Sequence, residues 1–188
     1  MASDHARTPH RLDDVDAAAD ALLARIDGPL RIGTPLGLGK PNRLLNALYA
    51  KVVADLSRPM HLYTALSLDP PRGRPGLEQR FIAPFAQRLY GVDYPRLAYA
   101  VAQKRDALPA HIEVEEFYMQ SGALLNSPQA QRRYASLNYT HVAPALADRK
   151  VTCLVQRVAV NADGSRLSLS CNTDLTFDAV DAIVARGL

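Results

Sequence analysis

Between Arg31 and Leu56 the chain reads RIGTPLGLGKPNRLLNALYAKVVADL: a short apolar run, two glycines two residues apart, a proline, then apolar residues at helical spacing. The run predicts a strand, and Gly37 and Gly39 predict a turn. Pro41 suits the first turn of a helix, where its missing N–H is no loss and its φ is already set. Leu44, Leu45, Leu48, Val52 and Leu56 recur at the 3.6-residue period and predict a buried helical face. A second apolar run, Met60 to Leu68, comes after Arg58-Pro59 and reads as another strand. Strand, helix, strand in this order favours a parallel sheet. A helix that opens behind a glycine turn is expected to leave several backbone N–H groups pointing outward, a place for a phosphate, a carboxylate or a developing oxyanion.

The remaining segments extend the same α/β pattern. Residues 1–11 predict a mobile tail and residues 12–188 a single domain. Asp13 or Asp14 can cap a first helix reaching Ile26, with Gly28-Pro29 ending it. Asp69 to Gly76 is a Pro/Gly/Arg loop. Leu77 to Tyr90 and Tyr94 to Ala107 predict helices, the first interrupted by Pro84. His111 to Gln120 predicts a third strand with His111, Glu113 and Glu115 on one face and Glu116 on the other. Ser127-Pro128 starts a helix to about Ala135, and Pro144 to Asp148 predicts a short one. Val151 to Val160, the turn Asn161 to Gly164 and Arg166 to Cys171 predict a hairpin with Leu167, Leu169 and Cys171 on one face. Asp178 to Arg186 predicts a last helix. The expected fold class is therefore α/β: an open, mainly parallel sheet flanked by helices, with a β-hairpin toward the C-terminus.

Composition narrows the function classes. The 188 residues suffice for one full core, and 22 basic against 19 acidic residues give a net charge of +3. That balance, with no basic stripe interleaved with aromatics, argues against nucleic acid. Arg72 and Arg74 form the nearest basic cluster, read first as a solvated loop, with phosphate binding there as the lesser alternative. No apolar run is long enough to span a membrane and the start lacks a hydrophobic signal core, so a cytoplasmic protein is expected. Cys153 and Cys171 stand at no metal-ligand spacing and read as small buried residues. No metal site is expected.

The glycine turn fails two common phosphate motifs at the position that carries each mechanism. Asn42 stands where a dinucleotide fingerprint needs its third glycine, and Pro41 where a phosphate loop needs Ser or Thr for magnesium. Two other polar groups qualify as candidates. The HIEVEE stretch could supply acid/base groups, with Glu115 or Glu116 the fallback nucleophile. Ser136 to His141 is the densest polar cluster; Asn138, Tyr139 and His141, with Ser67, are candidate cleft-lining residues.

Gly37 to Asn42 followed by Leu44-Leu45-Asn46-Ala47-Leu48-Tyr49 resembles the opening motif of the acetyl-CoA hydrolase/transferase family, relatives of the butyrate-type CoA-transferases. Leu62 to Leu68, Tyr134 to Val142 and Leu167 to Asn172 resemble further motifs of that family in the same order, so the resemblance spans about Leu30 to Asp178. It implies the N-terminal domain of a two-domain clamp, with the chain ending where that domain would end. It implies covalent catalysis by a glutamate through an acyl anhydride and a glutamyl-CoA thioester, with coenzyme A as substrate and no metal or redox cofactor. That glutamate belongs to the second domain, so no catalytic residue is placed on this chain. The loop Gly37, Gly39, Lys40, Pro41 and Asn42 would stand beside the reacting carbonyl, and Gly39→Val would weaken an assembled enzyme with the fold intact. Implied partners are acyl-CoA, a carboxylate, a second CoA-transferase domain or subunit, and further copies of the chain. A non-catalytic CoA- or metabolite-binding module is the alternative, and a different small-molecule enzyme using Glu115, Glu116 or His141 a third.

Overall fold

A computed structural model describes residues 10–170 and 172–188. Four parallel strands form one sheet in the order β3-β2-β1-β4: β1 (Leu30–Gly33), β2 (Met60–Thr64), β3 (Ile112–Glu116) and β4 (Cys153–Leu154). Leu30 pairs with Met60 and Met60 with Ile112, so the three longer strands start level, and β2 and β3 run one residue beyond β1. The chain steps from β1 to β2 to β3 in one direction, then returns to place β4 on the free side of β1. In open parallel sheets the carboxyl ends of the strands, above all where winding reverses, are where ligands bind.

Strand alternation gives the sheet two unlike faces. Leu30, Ile32, Met60, Leu62, Ile112 and Val114 point to one face. There α1 (Val15–Arg25), α2 (Asn42–Ala54) and α4 (Ala98–Lys104) cover them with Ala19, Leu45, Leu48, Val52, Leu97 and Tyr99. The opposite face is thinner. Tyr63, Val151 and Leu154 meet α6 (Tyr139–Asp148) and α7 (Thr176–Val184) through Ala147 and Ile183. Cys153 is buried at the edge, and burial pushes its thiol up to about 11.

Caps explain several boundaries. Asp14 accepts from the Ala17 N–H at 2.7 Å and starts α1. Ser127 accepts from the Ala130 N–H at 3.2 Å and starts α5 (Pro128–Arg132), whose first residue is a proline. The 94–107 region is helical only over α4. The residue before Pro95 is biased to extended backbone, and side chains of α2 hold the segment 95–98. Asn42 Nδ2 donates to the Pro95 carbonyl and Asn46 Nδ2 to the Arg96 carbonyl, both at 2.8 Å, while Asn46 Oδ1 accepts from the Ala98 N–H at 2.8 Å.

Other expectations are corrected. The expected strand 151–160 divides. After β4, Val155 N and Arg157 N donate to the carbonyls of Gly33 and Gly39, so the chain follows β1 into the glycine turn before leaving the sheet. Only then does β5 (Ala159–Val160) pair antiparallel with β6 (Leu167–Ser168). Leu167 is exposed, not buried, and Cys171 lies outside the described residues, as does most of the expected tail. Helix α6 begins at Tyr139, five residues before Pro144, which its interior accommodates. Leu56 falls beyond α2 and is 75% exposed. Helix α3 (Leu77–Tyr90) has the anticipated bounds, but none of its residues is buried; Leu77, Phe81, Phe85 and Leu89 face outward, Phe81 at 81%.

The contrast between Leu48 and Leu56 is testable. Leu48→Ala removes a side chain that is 0% exposed and is expected to cost about 3 kcal/mol of stability in urea unfolding. Leu56→Ala, at the same helical period, is expected to change it by under about 0.5 kcal/mol.

Candidate functional site at the carboxyl edge of the sheet

Beyond β1 the backbone makes one turn of 3-10 helix, Gly37–Gly39. Gly37 sits at φ +58, where a side chain would be strained. The turn's amides are engaged: Gly37 N donates to Leu66 O, Gly39 N to Leu36 O, Lys40 N to Gly37 O and Asn42 N to Lys40 O. The expected row of outward N–H donors is therefore satisfied internally at these four residues. Pro41 caps α2 instead of opening its first turn. The turn does border a groove of about 560 Å³, lined by Leu38, Pro41, Arg43, Tyr94 and Arg157 among others.

Lys40 does not reach toward solvent. It is 2% exposed, and Nζ donates to the carbonyls of Pro35 at 2.8 Å, Leu66 at 3.3 Å and Ala65. Burial pushes its ammonium down to about 7, opposed by the negative charges of Glu116 and Asp174. The cation thus ties the loop after β1 to the loop after β2. A Cβ on Gly39 would stand 2.4 Å from Asn172 Nδ2, which donates to the Leu36 carbonyl. Valine at Gly39 would displace that amide.

Glu116, the last residue of β3, is 1% exposed on the face toward α4. Its Oε1 accepts from Ser67 Oγ at 2.9 Å and its Oε2 from Ser67 N at 3.3 Å, and Ser67 Oγ lies 2.9 Å from Tyr99 OH. Burial raises the carboxyl's pKa, against lowering by Lys40 and by the Ser67 hydrogen bonds. Tyr99, fully buried, is held well above the usual phenol range by the same burial and by Glu116. One turn along α4, Gln103 is buried with neither amide atom hydrogen-bonded. Ser67, Gln103 and Glu116 line a groove of about 800 Å³ between α3, α4 and the loops after β2 and β3. At its rim Arg96 and Asp69 form a two-pronged ion pair at 2.6 and 2.7 Å.

Other candidates are scattered. Glu113 pairs with His61 and Arg133, Glu115 with Arg149, and His111 Nε2 lies 2.9 Å from the Val52 carbonyl. Asn138 Oδ1 accepts from Thr140 and His141 at the exposed start of α6, so Asn138, Tyr139 and His141 form a surface cluster apart from Ser67. Between the sheet and α6/α7 lies an apolar cavity of about 100 Å³ that reaches Thr34 and Asp174. No group of three or more His, Cys, Asp or Glu side chains is placed to hold a metal among the described residues, and no helix among them is long and apolar enough to cross a membrane.

Tyr99, Gln103 and Arg96 were not singled out from sequence, whereas Asp69 was read with Thr64 and Ser67 as able to reach a substrate or cap the loop. The one available signal was the i, i+4 spacing of Tyr99 and Gln103 on a helix otherwise small and apolar. The fold and site define an α/β chain with an open four-stranded parallel sheet and a polar groove at its carboxyl edge. No family model, no curated protein and no solved structure matches the chain.

The buried lysine has a pH signature. In the unfolded chain Lys40 keeps its proton up to 10.5, in the folded chain up to about 7. Between those values the unfolded state binds more protons, so this group makes stability rise with pH. Urea unfolding at pH 7 and 9.5 is expected to show a gain for the wild type over Lys40→Met on the order of 3 kcal/mol.

Proposed function

We propose that this chain is the amino-terminal half of an acyl-CoA transferase or acetyl-CoA hydrolase, acting with a glutamate carried on a second domain or subunit. The observation that carries the reading is the open groove at the carboxyl ends of β2 and β3. Its floor is polar and built, while its outer wall, α3, turns an apolar stripe to solvent. A stripe of this kind marks a surface that another body covers. The motif resemblance from Leu30 to Asp178 points the same way.

The carboxylates of this half do not suit a nucleophile. Glu115 is held by Arg149, and Glu116 is buried with both oxygens accepting hydrogen bonds from Ser67. In the proposed reaction the external glutamate attacks the thioester carbonyl, the C–S bond breaks and the CoA thiolate leaves. The CoA thiolate then attacks the glutamyl carbonyl of that anhydride, which releases the first carboxylate and leaves a glutamyl-CoA thioester. An acceptor carboxylate displaces the thiolate there and receives it back as a new acyl-CoA with the glutamate free, whereas water in its place gives free CoA and the glutamate. This chain supplies a wall of the cleft. The Lys40 clamp and the Gly37–Asn42 turn fix that wall's shape.

Calorimetric titration of the purified chain with acetyl-CoA is expected to show binding, and intact mass afterwards no added mass. When a complementary glutamate-bearing half is supplied, the adduct is expected there. A covalent acyl or CoA adduct on residues 1–188, or no binding of acetyl-CoA, overturns the reading.

A further inference from the structure

The groove floored by Gln103 has the chemistry of a nucleotide site. Gln103 is 1% exposed, and its Nε2 and Oε1 both lack a partner. A buried carboxamide left unpaired is costly, and its adjacent donor and acceptor match a planar edge bearing the complementary pair. The edge of adenine, N6–H and N7, is such a pair, and glutamine is its usual bidentate reader. The wall facing α4 is supplied by Phe85, Leu89 and Tyr90 of α3. Tyr90 is itself fixed edge-on against Tyr94, with ring centroids 5.0 Å apart. Aromatic and aliphatic walls suit the face of a base. At the mouth stand Arg72 and Lys104, both exposed and without an ion-pair partner among the described residues.

We propose that this groove binds an adenine nucleotide, its base edge on the Gln103 carboxamide and its phosphates at Arg72 and Lys104. The buried carboxylate of Glu116 on the floor sets the direction, because it repels phosphate from the interior and leaves only the rim for it. The volume, about 800 Å³, lies within the range of nucleotide-sized sites. The inference rests on the CoA reading above and deepens it, by assigning the nucleotide end of the thioester to a place in this half.

The test is calorimetric titration of the full chain with ADP, pyrophosphate, pantetheine and acetyl-CoA. ADP is expected to bind at least tenfold more tightly than pyrophosphate or pantetheine. Gln103→Leu is expected to lose at least tenfold in ADP affinity while its melting temperature holds or rises. Arg72→Ala, a surface change that leaves folding intact, is expected to lose at least threefold and to flatten the salt dependence. Unchanged ADP affinity in Arg72→Ala, or in a folded Gln103→Leu, overturns the inference, as does pantetheine or pyrophosphate binding as tightly as ADP. Binding of acetyl-CoA without binding of ADP overturns it while leaving the CoA reading in place; binding of neither overturns both.

Discussion

The buried amino group of Lys40 is the tie on which the carboxyl edge of this sheet depends. Three carbonyls, from Pro35, Ala65 and Leu66, converge on it from the loops that follow β1 and β2, and the Gly37 N–H reaches the Leu66 carbonyl between the same loops. Backbone carbonyls taken out of water need donors, and the one amino group supplies them to both loops. With the loops fixed, Gly37 N reaches Leu66 O, Ser67 comes under Glu116, and the serine hydroxyl meets Tyr99. Removing the lysine would leave three buried carbonyls short of a donor.

The two faces of the sheet have different fates. The face under α1, α2 and α4 is filled with aliphatic side chains and supplies most of the buried apolar area. The other face carries Glu113, paired with Arg133 and His61, Glu115, paired with Arg149, and Arg31, which donates to the Arg149 carbonyl, and is sealed only where α6 and α7 reach Tyr63 and Leu154. Helix α3 stands further out. Its half-buried residues are Ile82, Ala86 and Tyr90, and of its exposed leucines and phenylalanines Phe85 and Leu89 border the groove beside Tyr90. A 14-residue helix without buried side chains is near the limit of what propensity alone sustains in water, so its packing partner matters to its stability.

Much of the fold was legible. The periods of 2 and 3.6, with Asp14, Ser127-Pro128 and Gly164 as punctuation, located α1, α2, α3, β1, β2, β3 and the hairpin turn. Errors fell where tertiary contact overrode local pattern. The β4 strand is two residues long because the chain then follows the glycine turn, and the start of α4 is displaced because Asn42 and Asn46 hold residues 95–98 extended. The site was legible only in part. Lys40 and Ser67 were singled out, but Lys40 read as a cation near a helix start when it is a buried clamp. Asn138, Tyr139 and His141 read as a cleft and form a surface cap.

Sequence alone determined the class of structure, since alternating apolar runs and amphipathic helices separated by Gly and Pro have few ways to bury their faces other than a parallel sheet under helices. It also placed the GLGKPN turn at the end of the first strand. Tertiary structure decided which side of that turn Lys40 occupies, which of the adjacent carboxylates Glu115 and Glu116 is buried, and that Gln103 shares a groove with Ser67. Those outcomes depend on strand order and on loops meeting from positions 25 to 49 residues apart. Local spacing carries no information about such meetings, because the physical force that makes them, desolvation of one charge against distant carbonyls, acts only once the chain is folded.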